Sequence, residues 1–204
     1  MKPPPLAHSA LHPQEFPPEG RPELAVVGRS NSGKSTLLNA LVGARVAHVS
    51  QDPGRTRRIH FFNMDDAWYL VDLPGYGYAK VPMRLRAEFG QAVDHYLTTR
   101  RSLVGAILIQ DVRRRVEPEE EMLLEWSRTR GVPLIVVANK IDKLNQRERG
   151  QRIRALTAQY RQPVHAVSAH RGTGLEPVHA QLAQWGLGST RQRVDSPSPA
   201  PSPS

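Results

Sequence analysis

The apolar run Leu24-Ala25-Val26-Val27 leads directly into Gly28-Arg29-Ser30-Asn31-Ser32-Gly33-Lys34-Ser35, and that junction limits what the chain can fold into more than any other stretch. It matches G-x-x-x-x-G-K-[ST] in the setting that motif needs, a strand on its left and a helical pattern, Lys34 to Val42, on its right. The two glycines let the backbone curl close to phosphate oxygens, and the helix N-terminus adds positive partial charge. Lys34 brings a full charge to the β and γ phosphates; the Ser35 hydroxyl can ligate Mg²⁺, and Thr36 follows in the same turn. A loop built this way presupposes a parallel sheet, because the strand must hand its chain to a helix packed on one sheet face.

The rest of the pattern agrees. Ile59–Asn63 and Trp68–Val71 read as a hairpin around Met64-Asp65-Asp66-Ala67. Beyond it, helical faces (Leu85, Phe89, Ala92, Tyr96; Met122, Leu123, Trp126; Ile153, Leu156, Tyr160; Leu175, Val178, Leu182, Trp185) alternate with apolar strands at Leu103–Ile109, Leu134–Ala138 and Val164–Val167. Strands joined by crossover helices predict a three-layer α/β fold: a mostly parallel sheet with one antiparallel edge strand and helices on both faces. The Met and aromatic positions on those helices are read as core. In such sheets ligands bind beyond the carboxyl ends of the strands, so the loops there are the candidate site.

Four further loops fall at those ends. Asp72-Leu73-Pro74-Gly75 closes the second hairpin strand: Asp72 is placed to hold Mg²⁺, and the Gly75 N–H to register a γ-phosphate. Between it and the phosphate loop lies Ser50–Arg57, where Pro53, Gly54 and Arg55 precede Thr56, the threonine expected to close over the metal. The strand at Leu134 ends in Asn139-Lys140-Ile141-Asp142. The Asp142 carboxylate can accept two hydrogen bonds from guanine, and adenine would leave it unpaired. Asn139 can bond the purine or brace the phosphate loop, and the Lys140 stem can cover the ring. Val167-Ser168-Ala169, after the last strand, can complete the base pocket through the Ala169 N–H. Lys34, Thr56 and Gly75 are the catalytic candidates; Ser35, Thr56 and Asp72 are the metal ligands.

Composition sets the surroundings. With 28 Lys+Arg against 19 Asp+Glu the net charge is +9, which suits a polyanionic partner or simply a soluble basic surface. There is no cysteine, so neither disulfides nor a Cys-based zinc site can form. No apolar run approaches the ~20 residues that span a bilayer, and the start lacks a secretory core, so a cytoplasmic protein without membrane contact is expected. His165 and His170 have no third ligand at metal spacing. Proline in the first ~20 residues and SPSPAPSPS at the end predict mobile tails at 1–21 and 188–204 around a folded unit at 22–187.

Taken together, GRSNSGKSTLLNAL, PGRTRRIHFF, LVDLPGYGYAKVP, QDVRRRVEPEEEMLLEW, ANKIDKL and SAHRGTGLEPV resemble a Ras-like P-loop GTPase of the TRAFAC class. Within it they are most similar to the EngB/YihA/YsxC family of bacterial ribosome-biogenesis GTPases, from about Glu23 to Trp185. The resemblance implies a monomeric GTPase, with GTP or GDP and Mg²⁺ as ligands, that binds the large ribosomal subunit or its precursor, touches rRNA, and is needed for normal cell division. Asn139 and Arg55 stand where Thr and Lys are common in that family. Tyr76 stands where Ras-like enzymes carry a water-orienting glutamine, which implies slow intrinsic hydrolysis. Asn31 occupies the position that holds K⁺ in potassium-stimulated relatives of the class, though it can equally only brace the loop. Arg29, Arg55, Arg57 and Arg58 are RNA contacts or a solvated rim. A rival reading is a nucleotide-gated RNA-binding module in which hydrolysis is dispensable.

Overall fold

The computed structural model describes residues 5–46, 58–76 and 83–188, with the backbone alone for 83–89. Strands β1 (Leu6–Ala10), β2 (Glu23–Gly28), β3 (Ile59–Met64), β4 (Trp68–Asp72), β5 (Leu103–Asp111), β6 (Leu134–Asn139) and β7 (Val164–Ala166) form one sheet in the order β1-β3-β4-β2-β5-β6-β7. From β4 to β7 all pairings are parallel, while β3 runs antiparallel to β4 and β1 antiparallel to β3. The helices are α1 (Lys34–Val42), α2 (Met83–Thr99), α3 (Pro118–Arg130), α4 (Gln146–Tyr160) and α5 (Glu176–Gln184).

Side chains along each strand alternate between two cores, as the period of two requires. Ala25 and Val27 of β2 face the cluster containing Ala92, Tyr96, Leu124, Leu156 and Tyr160, so α2, α3 and α4 cover that face. Leu24 and Val26 face Leu37, Leu38, Val178 and Leu182, so α1 and α5 cover the other. β2 is central, and its chain leaves toward one face while those after β4 and β5 leave toward the other. That divergence opens a crevice at the carboxyl ends of the strands.

Three expectations change. The predicted mobile tail at 1–21 is in large part structured: β1 extends the sheet, Ala10 is fully buried, and the Phe16 ring packs against Phe61 and Tyr96. Proline content concealed this, because an outermost strand tolerates residues that cannot complete a ladder on both sides. The one antiparallel strand expected is β3, and because β1 pairs outside it, it stands one strand in from the edge of the sheet rather than at it. On α3, Met122 is 71% exposed and Leu124 takes the inward position, because the helix turns its Glu120–Leu124 line toward the sheet. Residues 1–4, 47–57, 77–82 and 189–204, and so Pro53, Gly54, Arg55, Thr56, Arg57 and the C-terminal tail beyond Gly188, lie outside the described residues.

At the amino end of β2 the fully buried Glu23 is closed in by ligands. Arg100 donates through Nε and Nη2 at 2.9 and 2.6 Å, and the Tyr96 hydroxyl donates at 2.9 Å. Burial and the Glu23 carboxylate push the Tyr96 phenol well above its ordinary pKa, so it remains a donor. Arg100 also donates to the Pro17 carbonyl at 2.7 Å, fastening the N-terminal segment to the chain just beyond α2. Removing the guanidinium alone strands a buried charge. Arg100→Met should cost about 3–5 kcal/mol, read as a lower urea midpoint at unchanged slope, whereas Glu23→Leu combined with Arg100→Met should cost less than the single change.

Candidate functional site

The loop from Gly28 to Ser35 is held from below and from both sides. Its Ser32 N–H donates to the Arg29 carbonyl at 3.0 Å, and the Ser32 carbonyl accepts from the Asn139 amide at 3.0 Å. Gly33, at φ +94°, caps α1; a Cβ there would stand 2.3 Å from Asn139 Nδ2, so only glycine allows that approach. The first turn of α1 carries Lys34, Ser35 and Thr36 and no acidic residue, which leaves the helix N-terminus electropositive. Asn31 sits in the left-handed region at φ +64°, and its carbonyl accepts from Lys140 Nζ. The Ser32 hydroxyl is buried without a hydrogen-bond partner. A buried donor, a helix N-terminus and a lysine on one loop fit a polyphosphate.

Asp72, at the end of β4, is 3% exposed and pairs with Lys34 Nζ. Ser35 follows Lys34 in the first turn of α1. Among the described residues no group of three or more His, Cys, Asp or Glu is gathered for a metal. One carboxylate and one hydroxyl, both oxygen donors, suit Mg²⁺, which keeps water and phosphate oxygens as its other ligands. Leu73 and Pro74 are buried beneath the loop, and the Leu73 N–H donates to the Val26 carbonyl at 3.1 Å. The chain then passes beside the phosphate loop: Tyr76 forms a parallel bridge with Arg29, and its carbonyl accepts from both the N–H and hydroxyl of Ser30 at 3.0 and 3.1 Å.

The Tyr76 side chain runs the other way. Its hydroxyl donates at 2.8 Å to Glu120, a residue of the first turn of α3 that is 2% exposed. Burial, helped by that carboxylate, lifts the phenol far above its usual pKa, so it stays protonated.

At the far side, the Asn139 Oδ1 accepts from the Ala169 N–H at 3.0 Å, so Asn139 links the phosphate loop to the last loop and occupies the very N–H expected to complete the base pocket. Ser168 donates to Asp142 at 2.6 Å, and this bond is the main cause holding the Asp142 carboxyl below the ordinary range, ionised and able only to accept. Val167 is fully buried, with its N–H on the Ala138 carbonyl at 2.9 Å. Lys140 (φ +68°) stretches from the end of β6 to Asn31 and to Asp111, 3.1 Å away.

Sequence reasoning missed Asp111, Glu117 and Glu120. Asp111 had a readable signal, a carboxylate closing the apolar β5 run as Asp72 closes β4. Glu117 and Glu120 looked like an ordinary acidic helix start; nothing in the spelling says that one of them is buried.

The loops after β2, β4, β6 and β7 thus converge on one crevice. A family model described as a 50S ribosome-binding GTPase matches residues 23–140. The probable GTP-binding protein EngB of Nitrosococcus oceani is 41% identical over 187 residues, 88% of this chain and 94% of that protein. Its namesake from Halothermothrix orenii is 43% identical over 150 residues, 73% and 75% of the two chains. Among solved structures, a probable GTP-binding protein EngB matches with a TM-score of 0.65 at 23% identity, covering 80% of this chain and 97% of that one. A tyrosine-to-alanine variant of Aquifex aeolicus Era bound to GDP·AlF₄⁻ matches with a TM-score of 0.65 at 24% identity, covering 80% and 56%. The two structural likenesses speak for the fold. Fold, loop order and relatives together define a P-loop GTPase, an enzyme that converts GTP to GDP and phosphate. Within that class, the chain belongs to the EngB family of GTP-binding proteins.

Asp111 supplies a pH test. Burial would raise its pKa, but hydrogen bonds from Arg113 (2.9 and 2.6 Å) and the ammonium of Lys140 outweigh it and hold it at about 2, against an ordinary 3.8. A depressed native pKa gives stability that is present above the unfolded value and is lost as pH falls through the native one. The ionised group therefore contributes about 2 kcal/mol above pH ~4, and this vanishes toward pH ~2. Urea midpoints against pH should show Asp111→Asn less stable than the parent at neutral pH and converging with it near pH ~2; parallel curves would show that Asp111 is not the titrating group.

Proposed function

We propose that this protein is a GTP-switched factor in assembly of the large ribosomal subunit, acting as a monomer in the cytoplasm and needed for normal cell division. The observation that carries the nucleotide half is the bridge made by Asn139, which ties the phosphate loop at Ser32 to the base loop at Ala169, with the ionised Asp142 alongside. This arrangement supports the guanine reading, because it leaves an acceptor-only carboxylate beside the phosphate loop. For the partner, the support is the family description as a 50S ribosome-binding GTPase, the net +9 charge, and an Era structure, TM-score 0.65 at 24% identity, that contains nucleotides 1506–1542 of 16S ribosomal RNA. Relatives of that kind make RNA the natural polyanion.

In this reading Gly28, Arg29, Ser30, Asn31, Ser32, Gly33 and Thr36 surround the phosphates, and Lys34 turns from Asp72 to the β and γ phosphates once nucleotide is bound. Ser35, Thr56 and Asp72 would hold Mg²⁺, which would supply positive charge to offset that of the phosphates. Gly75 reports the γ-phosphate, and Thr56, with Pro53, Gly54 and Arg55, closes from the other side. Asp142 and Lys140 select and cover guanine. Intrinsic hydrolysis is slow because the Tyr76 hydroxyl is committed to Glu120 and cannot orient water. That same commitment favours, as a second reading, a nucleotide-gated RNA binder in which turnover is dispensable. Single-turnover rates with and without large subunits separate the two: stimulation supports the assembly enzyme, its absence the binder.

Asp142→Asn exchanges an acceptor for a donor and should move preference from guanosine toward xanthosine triphosphate by about 10²-fold or more; unchanged GTP selectivity would mean the base pocket lies elsewhere. Capture of 50S precursors should be strongest with a GTP analogue and weaken steeply with salt. Asn31 is proposed to help hold K⁺, where a monovalent charge supplements Lys34. Faster turnover in K⁺ than in Na⁺, lost in Asn31→Ala, is the expected result, and equal rates in the two salts remove the assignment.

A further inference from the structure

Glu120 is an unusual place to bury a carboxylate. An acidic residue in the first turn of a helix ordinarily caps the end from the solvent side, where one oxygen accepts the N-cap N–H and the other stays wet. Here one oxygen takes the Glu117 N–H at 2.8 Å and the other takes the Tyr76 hydroxyl at 2.8 Å, with the residue 2% exposed. If the ring at position 76 served packing alone, phenylalanine would do as well and Glu120 could face water.

The same tyrosine is anchored at its backbone by two bonds from Ser30. Ser30 adjoins Arg29, whose guanidinium pairs with Glu117, the N-cap of α3; Glu117 also accepts from Arg114 at 3.2 Å. The contacts close a ring: Arg29 to Glu117, Glu117 to Glu120, Glu120 to Tyr76, Tyr76 to Ser30. Gly75 immediately precedes the tyrosine of that ring, so close to the phosphate loop that a Cβ would stand 3.2 Å from the Gly28 carbonyl and 3.3 Å from the Ser30 nitrogen. Gly75 is joined directly to Tyr76, whose carbonyl is held by Ser30 and whose hydroxyl is held by Glu120, so these bonds restrain the glycine's position. The Ser30 bonds join two loops that both meet phosphate and can rearrange together; Glu120 belongs to a helix packed on the core.

We propose that the Tyr76–Glu120 pair is the pivot that positions Gly75, so that Tyr76 and Glu120 are positioning residues for discrimination between guanosine tri- and diphosphate. A segment pinned at one end has less freedom to lose when its glycine closes on a terminal phosphate, and that difference favours the triphosphate alone. The inference rests on the proposed role of Gly75 and extends it to α3.

The experiment measures affinity of the full-length protein for a non-hydrolysable GTP analogue and for GDP, in Mg²⁺, for the parent, Tyr76→Phe, Glu120→Gln and Gly75→Ala. Tyr76→Phe keeps the ring and removes only the hydroxyl; its GDP affinity should stay within about twofold of the parent, and its analogue-to-GDP preference should fall about tenfold. Glu120→Gln leaves one acceptor oxygen for two donors, the phenol and the Glu117 N–H, and should lower the preference by less than Tyr76→Phe does. An unchanged or increased preference in Tyr76→Phe overturns the pivot. Should Tyr76→Phe lose GDP affinity in parallel, the pair is merely structural and the proposal also fails. Gly75→Ala separates the two layers: if it lowers the preference while Tyr76→Phe does not, Gly75 senses phosphate without the pivot, and if Gly75→Ala has no effect, the role of Gly75 is itself wrong.

Discussion

One buried amide holds the crevice together. Asn139, 2% exposed, gives its N–H to the Ser32 carbonyl and receives the Ala169 N–H on its oxygen, so the ends of β2, β6 and β7 are fixed relative to one another by a single planar group. Its two bonds lie between backbone groups that have no water to turn to, and leaving either unmade costs about 1–3 kcal/mol. The separation between the phosphate loop and the base loop is thereby set by the length of one side chain. Gly33 follows from the same constraint, since any side chain there would collide with that amide.

The carboxylates of the crevice obey a second constraint. The chain is strongly basic, yet Asp72, Asp111 and Asp142 gather at the ends of β4, β5 and just beyond β6. Each is compensated locally: Asp72 by Lys34, Asp111 by Arg113 and Lys140, Asp142 by the Ser168 hydroxyl. Lys140 ties the Asp111 arrangement to the phosphate loop, because its ammonium meets both Asp111 and the Asn31 carbonyl. A cation bound to one's own carboxylate is removed from bulk solvent but remains available for exchange when a stronger anion arrives. Local neutralisation of this kind lets the site keep its charges folded in place without requiring a ligand to hold it.

Most of the architecture was legible where chemistry and periodicity coincide. The bounds of α1, the β3–β4 hairpin and the parallel strands followed from the phosphate-loop spacing, a four-residue turn and short apolar runs. What escaped depended on partners distant in sequence. Nothing in Leu6–Ala10 announces that β3 offers an unpaired edge, and nothing in Glu117-Pro118-Glu119-Glu120 tells which glutamate turns inward until Tyr76 is seen 44 residues away in the chain. Met122 was misread for a related reason: apolar character marks what a residue tolerates, while the inward face of α3 is chosen by Glu120 and Leu124. Asp111 is the exception, since a second strand closing on aspartate carried the same signal that made Asp72 readable.

The two ends of the sheet divide the work of stability. At the amino end, Glu23, Tyr96, Arg100, Pro17 and Phe16 form a network with both carboxylate oxygens bonded and its rings in contact, a closed arrangement with little to gain by rearranging. At the carboxyl end, Asn31 and Lys140 are held in the left-handed region at φ +64° and +68°, and the Ser32 hydroxyl is buried unpartnered. Non-glycine residues held in such conformations cost on the order of 1 kcal/mol each or more and persist only where the surroundings impose them. The imposing groups are identifiable here: Asn139 and Lys140 contact the phosphate loop, and both extend from β6, which is buried along its length. Strain at the crevice is thus sustained by a strand that lies inside the sheet, and the loops can be shaped for a ligand because the strands beneath them are not.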